Sequence, residues 1–429
     1  MDESSRPTRE RQALLEAGQT EVRRSTAAAL AFALLALLAA VPVLQVVIGP
    51  PPSGALAELG RSALAAVDAA STAGPLAGNR ALLAGMDAFE TRLEDESVLR
   101  AELLGPAQLA LSGWLGAGNE QAYLGRGPWL FYRPDVDHVI GPGFLEPDLL
   151  ERRRRGGNAW EAPPSPDPVP AIAALAEDLG AREIELLLLP TPVKPMILPG
   201  GLVWRRTEPP LHNPSWAELR RRVEALGVTV LDAGAWLTAM SGEGESVFLT
   251  SDTHWTPRAM EEVARRLAEE IVATGVLPEA PGLDLSREPR TVEGRGDIAA
   301  MLLLPEGQRL VTPQTVTTSR VVGPGGAPWR SDPGAAVLLL GDSFTNIFSE
   351  AGLGWGGGAG LAEQLSYFLE RPVDRIALNA GGSNASRRAL VDAVTADPDR
   401  LAAKRVVVYQ FAARELSQGD WPVLRLPQR

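Results

Sequence analysis

Cysteine is absent from the 429 residues, which excludes disulfide scaffolds, thiolate nucleophiles and cysteine-held zinc or iron–sulfur centres. Only three histidines occur, His138, His212 and His254. A multi-histidine metal site would use nearly all of them, so no metal is expected. Lysine is almost missing too: Lys194 and Lys404 are the only two among 41 basic residues. Beside the heavy use of alanine, glycine and proline, this reads as coding bias and not as function. Acids outnumber bases, and the net charge is −12. Binding duplex DNA or RNA needs a basic face to neutralise phosphates, so no nucleic-acid partner is expected. What remains is ordinary folding material, 45% hydrophobic and 22% charged. At about 150 residues per domain the length suits two or three folding units.

The first fifty residues carry the signal for location. Residues 1–24 are polar, with five arginines and five acids, and end in Arg23-Arg24. Residues 25–48 read STAAALAFALLALLAAVPVLQVVI, with Gln45 and two hydroxyls as the only polar side chains. A helix of that length rises about 36 Å, enough to cross a hydrocarbon core of about 30 Å. Arginines precede it directly, and the next basic residue after it is Arg61. The positive-inside bias therefore puts the N-terminal segment in the cytoplasm and the rest of the chain, after a single-pass signal anchor, on the outer side of the membrane. A cleaved signal peptide is the alternative, but the apolar stretch exceeds a usual h-region and no clean small-x-small site follows it. Pro50-Pro51-Pro52 then acts as a stiff spacer.

Residues 49–117 read as a helical stalk or packing region, with Leu82, Met86, Phe89 and Leu93 at steps of three and four. From residue 118 onward the texture changes. Gly125 to Tyr132 predicts a turn leading into a buried aromatic strand. Apolar runs then alternate with amphipathic segments: strands over 184–189, 228–231, 335–340, 375–378 and 406–411, and helices over 216–226, 257–274, 361–369 and 387–394. Such alternation implies a parallel sheet covered by helices on both faces. Ligands in such sheets bind beyond the carboxyl ends of the strands. Residues 280–330, rich in proline and glycine with weak periodicity, are expected to form an irregular insertion over or beside the site.

Three short motifs fall at those strand ends. Leu340-Gly341-Asp342-Ser343 places a serine just past a buried strand, where a tight turn can present its hydroxyl and later amides can face an oxyanion. Gly-Asp-Ser also makes ordinary turns, so alone it is a weak signal. Asp252-Thr253-His254-Trp255 precedes Thr256-Pro257, a good N-cap and first helical residue. An aspartate two residues before a histidine can bend back to the imidazole Nδ1, fixing its tautomer; a plain cap with a packed histidine is the bland reading. The two motifs strengthen each other, because a serine hydroxyl needs a nearby base to be nucleophilic at neutral pH. The third, Asn379 to Asn384, offers backbone amides and carboxamides, with Gly382 and Asn384 as oxyanion candidates. Weaker candidates are Lys194, placed after a strand to reach an anionic substrate or a surface acid, and Arg414, placed to buttress the site. Arg205-Arg206 and His212-Asn213 are candidates for lining a polysaccharide groove, although loop polarity explains them equally well. Gly356-Gly357-Gly358 lacks the Lys-Ser/Thr of a phosphate loop, so no nucleotide or other cofactor is expected.

These residues resemble the SGNH-hydrolase-like domain of the alginate O-acetyltransferase AlgX/AlgJ family. The resemblance runs from about Phe89 to the C-terminus. It is carried by the 89–104 helix, Gly125…Trp129-Leu130-Phe131-Tyr132, Asp252-Thr253-His254-Trp255 and Gly341-Asp342-Ser343-Phe344. The order of the motifs, with Asp and His before Ser, is similar to this family and the reverse of most SGNH esterases. Gly127-Pro128 departs from the Asp-Gly expected before the tryptophan, which affects a turn more than the chemistry. The resemblance implies an SGNH-like, flavodoxin-like parallel sheet, with Ser343 as nucleophile, His254 as base and Asp252 as its orienting acid. It further implies acetyl transfer onto hydroxyls of an exported polysaccharide, supplied by a membrane-bound O-acyltransferase partner. No carbohydrate-binding module is recognised after the catalytic region, so the chain looks closer to anchored members of the family; alginate itself is not implied. A carbohydrate acetylesterase with the same triad, or a non-catalytic polysaccharide-binding subunit of a secretion complex, are the competing readings.

Overall fold

A computed structural model describes residues 24–48, 53–156, 164–202 and 207–427. The expected cytoplasmic segment up to residue 23, the Pro50–Pro52 spacer and Arg205-Arg206 lie outside the described residues. The chain divides into two compact units, one ending at Gly105 and the other running from Pro106 to Arg429.

The described residues of the first unit are helical, as the periodicity predicts. Helix Arg24–Ile48 covers the apolar run. Its one amide, Gln45, bonds the turn at 96–98, donating to Glu96 O at 2.9 Å and accepting from Val98 N at 3.0 Å. Among the described residues no helix is long and apolar enough to cross a membrane, so a transmembrane role for residues 25–48 is a proposal and not an observation. Helices Ser53–Ala73 and Pro75–Asp95 pack together through small residues. Side chains at Gly78 and Gly85 would collide with Ala70 and Ser62.

The second unit holds the sheet. Its strands are β1 (Ala122–Leu124), β2 (Leu130–Tyr132), β3 (Glu185–Thr191), β4 (Thr229–Val230), β5 (Ser286–Gly294), β6 (Gln314–Val322), β7 (Val337–Gly341), β8 (Val373–Ala377) and β9 (Val406–Ala412). Five of them form a parallel sheet in the order β4-β3-β9-β7-β8. Alternate side chains point to opposite faces. Leu187, Leu189, Leu339, Val406 and Val408 pack with helices Pro257–Ala273 and Leu361–Leu369. Leu186, Leu188, Leu338, Leu340, Val407 and Phe411 face the other way, toward helices Pro168–Gly180 and Ala385–Ala396. Burial on both faces is why these strands read as continuous apolar runs. β1 and β2 pair as an antiparallel hairpin with Leu130 and Phe131 buried, the expected aromatic strand.

The insertion departs from expectation. Residues 280–330 are not wholly irregular: β5 and β6 form an antiparallel ribbon from Ser286 opposite Val322 to Gly294 opposite Gln314, with turns and loops around it. Most of β5 is exposed and its sequence, SREPRTVEG, is polar on both faces. Without a buried face there is no alternation to detect.

Candidate active site

β7 ends at Gly341, and Ser343 is the first residue of the helical turn Ser343–Asn346. A side chain at position 341 would collide with Thr345 Oγ1, so only glycine allows the chain to turn this tightly. Gln410 on β9 then clamps the turn. Its Oε1 accepts from Asp342 N at 3.0 Å and Thr345 Oγ1 at 2.8 Å, and its Nε2 donates to Thr191 Oγ1 at 3.0 Å. Asp342 finishes the construction: Oδ1 caps Phe344 N at 2.8 Å and Oδ2 accepts from Ala412 N at 2.8 Å. Ser343 is thus held on a turn bonded to the central strand. At this first helical position its own N–H has no acceptor within the helix.

The second motif arrives from the loop before helix Pro257–Ala273. Thr256 caps that helix, accepting from Ala259 N at 3.3 Å, and Pro257 opens it, as the sequence predicts. His254 Nε2 lies 2.8 Å from Ser343 Oγ, and its Nδ1 lies 2.6 Å from Asp252 Oδ1. With Nδ1–H donating to the carboxylate, Nε2 is left to accept the serine proton. Trp255 meets Phe344 edge-on at 5.3 Å, locking the two motifs together.

Asp252 is buried yet fully satisfied. Oδ1 also accepts from His254 N at 3.0 Å, while Oδ2 accepts from Trp355 Nε1 at 2.8 Å and Asp297 N at 3.1 Å. Burial pushes its pKa up, but the His254 charge and these donors more than reverse that and hold it well below the carboxylate range. His254 is the mirror case. Burial pulls its pKa down, and the Asp252 carboxylate, with Asp297 behind it, raises it above the usual histidine value. Asp297 accepts from Thr253 N at 2.7 Å and Thr253 Oγ1 at 2.6 Å. Burial, then the nearby Asp252 charge, raises its pKa.

The triad opens into a cavity of about 450 Å³ whose walls include Tyr132, Met301, Leu353, Gly382 and Arg414. Arg414 pairs with Asp135 Oδ1 at 3.0 Å and lies over the Tyr132 ring at 5.3 Å. Burial opposes its charge, but Asp135, Asp342 and Glu415 outweigh that and hold its pKa above the usual value. Gly382 sits at φ 66° in the turn after β8, which is pinned by Ser383 N donating to Glu415 Oε2 at 2.9 Å. Ser343, His254, Asp252, Gly382 and Arg414 therefore meet at one pocket.

Two candidates do not. Asn384 is half-buried outside the cavity lining, and its carboxamide is engaged by Asp420 O at 3.2 Å instead of facing an oxyanion. Lys194 is fully buried and reaches neither substrate nor a surface acid. Its ammonium donates to Leu130 O at 2.7 Å and Thr250 O at 3.1 Å, beside the Trp129 and Phe131 rings. There it ties β2 to the loop that delivers Asp252, and burial lowers its pKa to about 8. His212 stacks on Trp216 at 5.3 Å, away from the triad pocket.

Ligand atoms of Asp252, His254 and Asp297 lie within 4.8 Å of one another, a spacing that invites a metal. The donor chemistry does not fit one. Both Asp252 oxygens receive N–H donors, and those hydrogens occupy the directions from which a cation would approach.

Trp355, Asp297, Asp135 and Gln410 were not anticipated as parts of this site. Trp355 sits immediately before the glycine run that fails as a phosphate loop, and an aromatic between Gly354 and Gly356 was the one available signal. Asp135 and Gln410 are ordinary residues in a helix and a strand, and only their tertiary partners make them important.

Residues 123–413 match the family model described as "SGNH hydrolase-like domain, acetyltransferase AlgX". Among curated proteins the chain is 29% identical to the "Probable alginate O-acetylase AlgJ" of Pseudomonas aeruginosa over 180 residues, 40% of this chain and 44% of that one. It is 26% identical to the namesake from Pseudomonas syringae pv. tomato over 238 residues, 53% of this chain and 55% of that one. The chain thus spans about half the length of the curated relatives it matches. In fold it is similar to the O-acetyltransferase domain of Pseudomonas putida AlgJ, with a TM-score of 0.52 and 21% identity, covering 70% of this chain and 93% of that domain. With the family model matching from β1 through β9, the chain belongs to the AlgX family of SGNH hydrolase-like domains.

Proposed function

We propose that the chain is an O-acetyltransferase that passes an acetyl group through Ser343 to a hydroxyl of an exported polysaccharide. The observation that supports it is the unbroken line from Asp252 through His254 to Ser343 at 2.6 and 2.8 Å. Ser343 Oγ attacks the carbonyl carbon of an acetyl donor while its proton passes to His254 Nε2. The tetrahedral intermediate collapses, the leaving group takes that proton, and acetyl-Ser343 remains. A sugar hydroxyl then attacks the acetyl carbonyl, giving its proton to Nε2, and Ser343 Oγ leaves with it. The Ser343 amide, aided by the 379–382 turn, holds the oxyanion in both halves. Asp252 keeps Nδ1 protonated and steadies the imidazolium.

The relatives' names give O-acetylation of alginate to those proteins; for this chain the polymer is left as a polysaccharide. The uncharged segment 25–48 supports anchoring in a bacterial inner membrane with the catalytic unit in the periplasm. There a membrane-bound O-acyltransferase would supply the acetyl group. Full-length protein in detergent, given a chromogenic acetyl ester with and without an oligosaccharide acceptor, tests the reaction. Ser343→Ala should abolish acetyl release, and the parent should acetylate the oligosaccharide. Undiminished release from Ser343→Ala would overturn the proposal, and Ser343-dependent release only into water would make the chain an esterase. In cells, extraction of the full chain by alkaline carbonate would contradict the anchor.

A further inference from the structure

The glycine-rich segment around Trp355 has no part in the reaction as set out above, yet it reaches the triad. Trp355 is fully buried, and its indole N–H donates to Asp252 Oδ2 at 2.8 Å. Gly354 and Gly356 on either side have φ of 86° and 84°, a backbone that other residues adopt only under strain. The β5–β6 ribbon forms the seat. A Cβ at Gly294, the last residue of β5, would lie 2.9 Å from Trp355 Cδ2, and one at Gly356 would lie 3.1 Å from Val292 Cγ2. Just beyond the ribbon strand, Gly296 at φ 83° leads to Asp297, whose N–H is the other donor to Oδ2.

We infer that Trp355 is a positioning residue for the triad, its indole N–H holding Asp252 in the orientation that keeps His254 aimed at Ser343. A carboxylate bonded only through Oδ1 can swing about its Cβ–Cγ bond, and the imidazole swings with it. With Oδ2 held by two donors, the Trp355 indole seated on the ribbon and the Asp297 amide just beyond β5, rotation would break both bonds. The ribbon at 286–322 thus acts through Asp252 instead of touching substrate. The inference rests on the serine mechanism proposed above.

The test replaces Trp355 in the full-length protein. Trp355→Phe removes the N–H and keeps an aromatic ring. A site-specific benzothienyl analogue, with sulfur in place of N–H, keeps the full shape and covers the case in which phenylalanine fails to fold. Loss of one hydrogen bond to a charged group predicts a fall in kcat of about 10-fold, with KM for the acetyl ester unchanged. The acid limb of the pH profile reports the charge facing His254. Asp252 and Asp297 face that ring, with Arg414 beyond. Stripping a donor from Asp252 concentrates its negative charge toward the imidazolium, so the limb moves to higher pH. An unchanged kcat and limb in a folded benzothienyl protein would overturn the inference, even if its melting temperature fell. Ser343→Ala is run alongside: activity surviving that change would sink the serine mechanism, whereas its loss beside an unaffected Trp355 variant would sink only the indole's role.

Discussion

At the scale of single residues, the proposed chemistry depends on opposed pKa shifts in two touching groups. Asp252 is held ionised and His254 is held more basic than an ordinary histidine. A base must be neutral to accept the serine proton, so activity is lost as pH falls through the raised histidine pKa. The acid limb of kcat/KM for the parent enzyme is therefore predicted above 6.5, the ordinary histidine value; a limb below it would contradict the assignment. Stability follows the same two groups with opposite signs. The raised His254 pKa stabilises the fold at acid pH and that gain is lost as pH rises through it. The depressed Asp252 pKa stabilises the fold at neutral pH and is lost only in strong acid. That Ser343, His254 and Asp252 would be brought together was legible in the sequence because their signals are local: a serine just past an apolar strand, and an Asp-x-His directly before a Thr-Pro cap. Trp355 was not, since the atom it serves is 103 residues away in sequence. Lys194 was misjudged for a related reason. A lysine after a strand looks solvent-facing until β2 and the Thr250 loop are seen to close over it.

At the scale of elements, the turn after β7 is where packing becomes function. Gly341, Thr345 and Gln410 fill one small space, and Ser343 is aimed by how tightly they fill it. Gly341→Ala would push Thr345 away from Gln410 and release the turn from β9. The expected cost is about 1–3 kcal/mol of stability, in the range of overpacked cores, together with a loss of kcat larger than the stability loss explains. Denaturant unfolding and acetyl-ester kinetics on the same protein measure both; a variant with unaltered kcat would show that the turn does not aim the serine. The sheet strands were visible in sequence to within a few residues because burial on both faces writes continuous apolar runs. The β5–β6 ribbon was invisible because its residues are mostly solvated, so its pairing is specified by backbone hydrogen bonds and by the contacts of Gly294 and Val292. No hydrophobic period records those.

At the scale of the whole catalytic unit, parallel strands explain how residues far apart in sequence meet. β7, β8 and β9 run side by side in one direction, so the segments leaving their carboxyl ends deliver Ser343, the 379–382 turn and Arg414 to a single rim. The loop carrying Asp252 and His254 and the segment after β5 carrying Asp297 line the same cavity. A parallel sheet brings strand ends together whatever their order in the chain, and the Asp-His pair reaches the cavity on the loop between helices Ala233–Gly242 and Pro257–Ala273. Acetyl transfer through Ser343 requires that this one hydroxyl, among all those in the chain, becomes covalently acetylated during turnover. Rapid acid quenching of the full-length protein with a chromogenic acetyl ester, followed by peptide mass mapping, tests that most directly. The predicted result is the mass of one acetyl group on the peptide containing Ser343, accumulating without acceptor and discharged when oligosaccharide is added. Turnover with no acetyl on Ser343, or with acetyl on another residue, would contradict the account.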